Sequence, residues 1–367
     1  MKSNQKNKIS IAVIFGGKSA EHEVSIQSAK NIIQALDADK YDITPIGIDK
    51  NGSWFKFKMS QLASLKKVLL GKQKNTGKNI LACSNEGKFL MKGEKDNQKI
   101  DVVFPIIHGP MGEDGTIQGL LKMTDTPFVG AGVLGSAVGM DKDVMKRLLR
   151  DAGLPIPRFV VYKNHEKKEI FFATIKQKLG APFFVKPANL GSSVGISKVH
   201  NKNDFASAIA LAFSYDNKII IEEYIKGREI ECAVLGNEKP IASGCGEIIP
   251  SHEFYSYEAK YLDEKGAVLS IPARINKNLE KKIKELALRT FKTLDCEGMA
   301  RVDFFVSGKE KILINEINTI PGFTSISMYP KLWEASGLSY GKLVDTLVGL
   351  AIKRFNKEKK LRTAFLK

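Results

Sequence analysis

Apolar positions along this chain fall into two rhythms, one of short buried strands and one of amphipathic helices. "ISIAVIF", residues 9 to 15, is the short apolar run that a strand covered on both faces needs. Glycines and a polar helix start follow it, and "YDITPIGID" then alternates as a strand does, which makes a strand-helix-strand unit. A polar, lysine-rich stretch from Gly52 to about Lys99 interrupts the pattern before "DVVFPIIHG" resumes it, so the interruption reads as an insertion. A second segment begins near Gly130. In "DKDVMKRLLRDAGLPIP" Asp141 is placed to cap a helix, Val144, Leu148, Leu149 and Ala152 recur at helical spacing, and Gly153 with Pro155 and Pro157 ends it. Short strands follow at "FFVKP", "GISKV" and "KIIIEEY". From about Tyr224 come the alternating strand "EIECAVL", a long loop, a helix with Leu279, Ile283, Leu286, Ala287, Phe291 and Leu294 on one face, and two closing strands, "ARVDFFV" and "KILINEIN". The pattern predicts an α/β protein in three segments, residues 1–129, 130–223 and 224–367.

Composition narrows the class. With 367 residues, 43% of them hydrophobic, the chain has room for two or three domains and a sizeable core. Cys83, Cys232, Cys245 and Cys296 stand far apart in sequence with no CxxC pair, which indicates neither a zinc site nor a disulfide framework. The lysines ahead of the first strand imitate a signal peptide, but the apolar core there is only about seven residues long. Nowhere does an apolar run reach the roughly 18 to 20 residues of a membrane helix, so a cytoplasmic protein is expected. A net charge of +17 admits nucleic acid, an acidic surface or a polyanionic small ligand as partner. Its lysines are spread along the chain, and the denser patches near Lys66 to Lys78 and Lys357 to Lys360 lack the interleaved aromatic residues of a base-stacking surface.

Three places carry candidate chemistry. In the closing strands, Arg301 and Asp303 share one face, Glu316 and Asn318 share one face of the next strand, and the "SGKE" turn sets Asp303 roughly opposite Glu316. Two carboxylates and an amide among apolar neighbours suit a hard cation such as magnesium; a salt bridge from Arg301 on a solvated sheet face accounts for the same residues. "KPANLGSSVGISKV", residues 186 to 199, puts Lys186 ahead of glycine-flanked serines, which is either a phosphate cradle or a tight turn between strands, and is not a Walker A loop. "GGKSAEHEVS" ends a strand and opens a helix, where parallel sheets bind ligands, although the GxGxxG spacing is absent. Glu21 there can meet a substrate ammonium or simply favour a helix N-terminus. His108 in "HGPMGEDG" and Lys142 each have an equally plain structural reading.

Taken in order, "FGGKSAEHEVS", "HGPMGEDGTIQG", "MDKDVMK", "FVKPANLGSSVGISKV", "EEYIKGREIECAVL", "YEAKYL", "ARVDFF" and "NEINTIPGFTSISMYP" resemble the D-alanine:D-alanine ligases of the ATP-grasp superfamily, over nearly the whole chain. The resemblance implies a three-domain ATP-grasp fold with an N-terminal parallel-sheet domain, a small central domain and a C-terminal mixed-sheet domain. It implies ATP with two magnesium ions, manganese being a substitute, and ligation of two D-alanines through an acyl phosphate for peptidoglycan precursors. On this resemblance Lys142, Lys186 and Lys260 meet the ATP phosphates, with Ser192 and Ser193 in the covering loop. Glu222, Glu223, Tyr224 and Ile225 surround the adenine, Glu229 meets the ribose, and Asn315 lies beside the nucleotide. Asp303, Glu316 and Asn318 match the metal ligands. Arg301 and the Gly322 amide match the oxyanion site, Glu21 the ammonium site of the first D-alanine with His108 nearby, and Ser327 with Met328 the carboxylate site of the second. Ser192, Tyr261 and Glu21 match a trio that closes a lid, about residues 247 to 265. A homodimer that binds neither nucleic acid nor membrane is the implied assembly.

Two departures bear on the substrate. Met328 stands where leucine is frequent, a volume-conserving change. Related ligases that join D-alanine to D-lactate commonly carry phenylalanine at the lid tyrosine; Tyr261 here points to the dipeptide. The competing readings are a D-alanine:D-lactate ligase or another ATP-grasp amino-acid ligase and, from a different class, a nucleic-acid-binding protein motivated by the charge. "HGPMGEDG" and "EHEVS", which belong to the amino-acid side of the site, argue against another ATP-grasp ligase; ligases that join D-alanine to D-lactate share most of the motifs, and only Tyr261 speaks against that reading.

Overall fold

A computed structural model of the chain describes residues 8–64, 78–84, 88–91, 99–250, 267–308 and 310–362. Three sheets organise it. The first has the order β5-β4-β3-β2-β1-β6, with β1 (Ile9–Gly16) parallel to both β2 (Tyr41–Ile48) and β6 (Val102–Ile106). The apolar run of β1 is buried on both faces, as its lack of alternation requires. Ile11, Val13 and Phe15 enter one core with Ile26 and Ile32 of α1 (His22–Ala35). Ala12 and Ile14 enter another with Ile117 and Leu121 of α2 (Thr116–Met123). The stretch read as an insertion adds β3 (Trp54–Lys56), β4 (Lys78–Ser84) and β5 (Lys88–Met91), antiparallel, at one edge.

After α3 (Val133–Met140), the side chain of Asp141 accepts from the amides of Asp143 and Val144 and so caps α4 (Lys142–Asp151), as the sequence predicts. The buried face differs from the predicted one. Val144 and Leu148 are exposed, whereas Met145 and Leu149 are buried together with Lys142, Asp143 and Lys146. The second sheet, β7-β10-β8-β9, comprises β7 (Phe159–Lys163), β8 (Phe183–Pro187), β9 (Ser197–Val199) and β10 (Lys218–Glu223), all antiparallel. Phe183, Phe205 and Ile175 fill its core beneath α5 (Phe172–Leu179) and α6 (Lys202–Tyr215).

The third sheet, β13-β12-β11-β14-β15, carries two faces of different character. Its strands are β11 (Arg228–Gly236), β12 (Ile241–Pro250), β13 (Ala267–Ser270), β14 (Gly298–Ser307) and β15 (Lys311–Asn318). Ile230, Cys232, Val302 and Phe304 point at Ile283, Ala287 and Phe291 of α7 (Lys277–Thr293). Cys232 and Cys245 face each other across β11 and β12, buried, as Cys296 also is. The opposite face looks toward the first sheet. It is covered in part by α8 (Met328–Ala335), which approaches because Gly246 has no side chain: a Cβ there would stand 2.6 Å from Met328 Sδ.

The last helix, α9 (Tyr340–Glu358), returns to the beginning of the chain. Leu343, Val344, Leu347 and Val348 complete the core around Ile11, Val13 and Phe15. Arg354, buried, donates to the carbonyls of Gly130 at 2.6 Å and Phe128 at 2.8 Å. Among the described residues no helix is long and apolar enough to cross a membrane.

Candidate active site

A cavity of about 1140 Å³ opens where the three sheets face one another. Every predicted site residue that is described lines it; Lys260, Tyr261 and most of the lid segment lie outside the described residues.

The third sheet supplies a row of charge. Glu231, Asp303 and Glu316 are register partners across β11, β14 and β15, and Arg301 pairs with Asn318 one step along the same face. A bulge makes this possible. Phe304 pairs with Ile314 but Asp303 with Glu316, which leaves Asn315 extra, and the parity of β15 flips there. Ile314 and Ile317 therefore both face the α7 core while Glu316 and Asn318 face the cavity. Arg301 donates through Nε and Nη2 to the two oxygens of Asp303, both at 2.7 Å, and its Nε also lies 2.7 Å from Glu231 Oε2. Burial opposes its charge, but Asp303 and Glu231 outweigh that and hold its pKa well above the ordinary arginine value. The bridge from Arg301 to Asp303 thus exists, in a largely buried setting and not on a solvated face.

Among the described residues no group of three or more His, Cys, Asp or Glu stands ready to hold a metal ion. The donor chemistry nonetheless fits a hard divalent cation. The row offers only oxygens, three carboxylates lie on one face, and the cations beside them are Arg301 and Lys142, the latter 3.4 Å from Glu316. Asp303 in this arrangement is engaged by Arg301 and by Asn318 Nδ2 at 2.9 Å.

The second sheet brings the cationic side. Lys142 opens α4, is buried, and donates through Nζ to the carbonyl of Leu190 at 2.8 Å, which ties it to the glycine-serine loop. Lys186 on β8 pairs with Glu222 on β10 at 3.2 Å, and Lys146, one turn along α4 from Lys142, pairs with the other Glu222 oxygen at 3.3 Å. Lys146 also donates to the carbonyl of the bulged Asn315 at 3.0 Å. Lys146 is 0% exposed and Glu222 1%. Burial lowers the Lys146 pKa from its ordinary value; it opposes ionisation of Glu222 too, but the two ammoniums outweigh it there and hold that carboxyl below its ordinary value. Glu223 ends β10, where Arg158 binds it at 2.7 Å, and Tyr224 and Ile225 follow on the link to β11, with Lys198 4.1 Å over the Tyr224 ring. Glu229, the second residue of β11, lies at the cavity wall.

The loop after β8 is both a hairpin connection and a lining element, since β8 and β9 pair antiparallel on either side of it. Ser192 and Ser193 sit at φ +52° and +59°, a left-handed turn that aims Ser192 Oγ at Glu21, to which it donates. Glu21 precedes α1 but makes no side-chain cap there; its carboxylate fits between the Cα positions of Gly109 and Gly191, where a Cβ would stand 2.9 and 3.0 Å from Oε2.

Below Glu21 lies a buried polar chain. The Phe323 amide donates to Ser28 Oγ at 3.2 Å, Ser28 Oγ meets His108 Nε2 at 3.2 Å, and His108 Nδ1 lies 3.0 Å from the Ile320 carbonyl. A carbonyl only accepts, so Nδ1 carries the proton and Nε2 receives the serine hydroxyl. Burial lowers the His108 pKa, and the imidazole is neutral. Glu113 accepts from the amides of Gly109 at 2.8 Å and Ile320 at 3.0 Å, bridging the two glycine motifs. Burial first, then the Glu21 charge, pushes its carboxyl up to about 8. Close by, Ser327 accepts from the Thr324 amide at 3.0 Å and Gly322 abuts it, a Cβ there meeting Ser327 Oγ at 2.6 Å. Ser327 and Met328 open α8, whose amides present a weak positive end to the cavity.

Sequence reasoning missed Lys146, Glu113 and Glu231. The signal for Lys146 was its i+4 spacing from Lys142, for Glu113 its place inside a glycine motif, and for Glu231 its sharing a strand face with Glu229.

Comparison with known proteins agrees over the full length. Residues 10–131 match the family model for the D-ala D-ala ligase N-terminus and residues 148–349 that for its C-terminus. The D-alanine--D-alanine ligase of Oceanobacillus iheyensis is 53% identical over 96% of this chain and 98% of its own length. D-alanine--D-alanine ligase A of Escherichia coli K12 is 48% identical over 97% and 99%. Among solved structures, the D-alanine-D-alanine ligase from Coxiella burnetii superposes with a TM-score of 0.86 at 41% identity, covering 96% of each chain. The VanG D-Ala:D-Ser ligase from Enterococcus faecalis gives 0.84 at 39%, covering 94% and 99%. Three sheets around one cavity are therefore the ATP-grasp architecture, and the chain belongs to the D-alanine–D-alanine ligase family.

Proposed function

We propose that this enzyme joins two molecules of D-alanine into D-alanyl-D-alanine at the expense of ATP, through an acyl phosphate, for peptidoglycan precursors. The observation that carries the reading is the division of the cavity into a cationic half, Lys142 and Lys186, and an amino-acid half, Glu21, Arg301 and Ser327. A carboxylate is a poor acyl donor because oxide is a poor leaving group, so one D-alanine carboxylate is first phosphorylated and the amine of the second then attacks it. Phosphoryl transfer needs positioning and charge neutralisation, which Lys142 and Lys186 supply from two elements. A divalent cation held by Asp303, Glu316 and Asn318 would add charge neutralisation at the phosphates.

Glu21 receives the ammonium of the first D-alanine, and neutral His108 lies beside it without adding a repelling charge. The Arg301 guanidinium, with the Gly322 amide, stabilises the oxyanion that forms when the amine adds. Ser327 and the opening of α8 take the carboxylate of the second D-alanine. The nucleotide base rests near Glu222, Tyr224 and Ile225, with its ribose toward Glu229. Lys260 and Tyr261 complete this scheme as phosphate and lid residues. The three-segment division, a cytoplasmic location and a homodimer are part of the same reading.

The test is phosphate release from ATP and magnesium that depends on added D-alanine, followed by product analysis with D-alanine, D-lactate and D-serine competing at neutral pH. D-Alanyl-D-alanine is the expected product. A depsipeptide or a D-alanyl-D-serine product in excess would overturn the assignment of the second substrate.

A further inference from the structure

Glu231 belongs to none of the roles assigned above, yet it completes the carboxylate row. It is the register partner of Asp303 on β11, its side chain is 6% exposed, and its Oε2 lies 2.7 Å from Arg301 Nε. That nitrogen carries one hydrogen and has two carboxylates at the same distance, Asp303 Oδ1 being the other. Here the hydrogen is directed at Asp303, and Nη2 adds a second bond to Oδ2. This fork and Asn318 Nδ2 together take about three of the roughly four lone-pair sites of the Asp303 carboxylate. Asp303 therefore serves a divalent cation fully only as the fork opens, and a buried guanidinium cannot be left without an anion.

We infer that Glu231 is a positioning residue that takes over the Arg301 guanidinium when Asp303 turns to the cation. The inference rests on the reading of Asp303 as a metal ligand. Its geometry asks for little movement of the pivot. Arg301 Nε stands 2.7 Å from an oxygen of each carboxylate, so turning the planar guanidinium about Nε re-aims its hydrogen from Asp303 to Glu231 and opens the Nη2 bond to Oδ2, while Nε keeps its place and Asp303 becomes available. Without Glu231, Arg301 keeps its hold on Asp303, and the cation must compete with a desolvated arginine for the same oxygens.

A plain buried ion pair, or a simple through-space attraction of the Glu231 charge for the cation, makes different predictions, and a double-mutant cycle separates them. Mn2+ binding to the full-length enzyme with ADP present is measured by electron paramagnetic resonance for the parent, Glu231→Gln, Arg301→Ala, the double variant and Asp303→Asn, with folding checked by circular dichroism. Glu231→Gln is expected to bind Mn2+ about tenfold more weakly than the parent, and Glu231→Asp to recover part of that loss. In the Arg301→Ala background, Glu231→Gln is expected to change Mn2+ binding by less than about twofold, because no arginine remains to be held off Asp303. An equal weakening in both backgrounds overturns the inference in favour of simple attraction. Parent-like binding by Glu231→Gln, with binding lost in Asp303→Asn, overturns it while leaving the metal site standing. Parent-like binding by Asp303→Asn removes the metal assignment and the inference together.

Discussion

Glu222 carries two lysines, and the sharpest stability prediction follows from that imbalance. Lys146 and Lys186 lie 3.3 and 3.2 Å from its two oxygens, and Glu222 and Lys146 are almost wholly buried. Replacing Lys146 with methionine keeps most of the length of the unbranched side chain, removes its ammonium, and leaves Glu222 paired with Lys186. What is lost is one ion contact and the donor to the Asn315 carbonyl at 3.0 Å, for which about 1–3 kcal/mol is expected. Replacing Glu222 with glutamine instead leaves two buried ammoniums without their carboxylate, for which about 3–5 kcal/mol is expected. Urea unfolding near pH 7.5, followed by far-UV circular dichroism, should therefore place Glu222→Gln below Lys146→Met by about 2 kcal/mol. The pH dependence has a definite sign. The lysines hold the Glu222 carboxyl below its ordinary 4.5, so its contribution is complete above that pH and is lost as pH falls through the lowered folded value. The gap between wild type and Glu222→Gln should close over that acid range. If Lys146→Met proved as damaging as Glu222→Gln at neutral pH, the reasoning about a single shared carboxylate would be refuted.

Three further outcomes are expected. Arg301→Ala should lower turnover by about 100-fold or more with little change in ATP affinity, and equal losses in steady-state turnover and nucleotide binding would contradict the oxyanion role. Ser192→Ala removes the hydroxyl that donates to Glu21, so the D-alanine KM should rise more than the Kd for ATP measured by calorimetry; the reverse order would refute it. His108 is held neutral by burial, whereas the unfolded chain takes up a proton below the ordinary value of 6.5. Thermal stability should accordingly decline as pH falls below about 6.5, and the decline should be shallower in His108→Gln; parallel profiles would exclude it.

How much of this was legible in the sequence varied by element. The β1 run announced a strand buried on both faces because nothing in it alternates, and Asp141 announced a helix start because an aspartate at that point satisfies two amides. The face of α4 was misread for a physical reason. The helix is pressed between an apolar core and a charged cavity, so its buried stripe includes Lys142 and Lys146, and a hydrophobic count finds Val144 and Leu148 instead. The pairing of Asp303 with Glu316 was anticipated only roughly. Strict alternation from the turn pairs Asp303 with Asn315, and it is the bulge at Asn315 that corrects the register, which a period of two cannot report. The contact of Ser192 with Glu21 joins residues from different sheets, and no local pattern encodes it; the ordered motifs pointed to it only through the resemblance.

The return of α9 to the first sheet has a consequence for how the chain is made. Leu343, Val344, Leu347 and Arg354 seal a surface whose strands are complete by Ile106, about 250 residues earlier. At about 5 to 20 residues per second on the ribosome, that surface waits on the order of 10 to 50 s for its cover. During that interval the face that carries Ile11, Val13 and Phe15 has Ile26 and Ile32 of α1 against it but lacks Leu343, Val344 and Leu347, so release of the chain before Arg354 emerges is expected to be the step at which its biosynthesis is most exposed to aggregation.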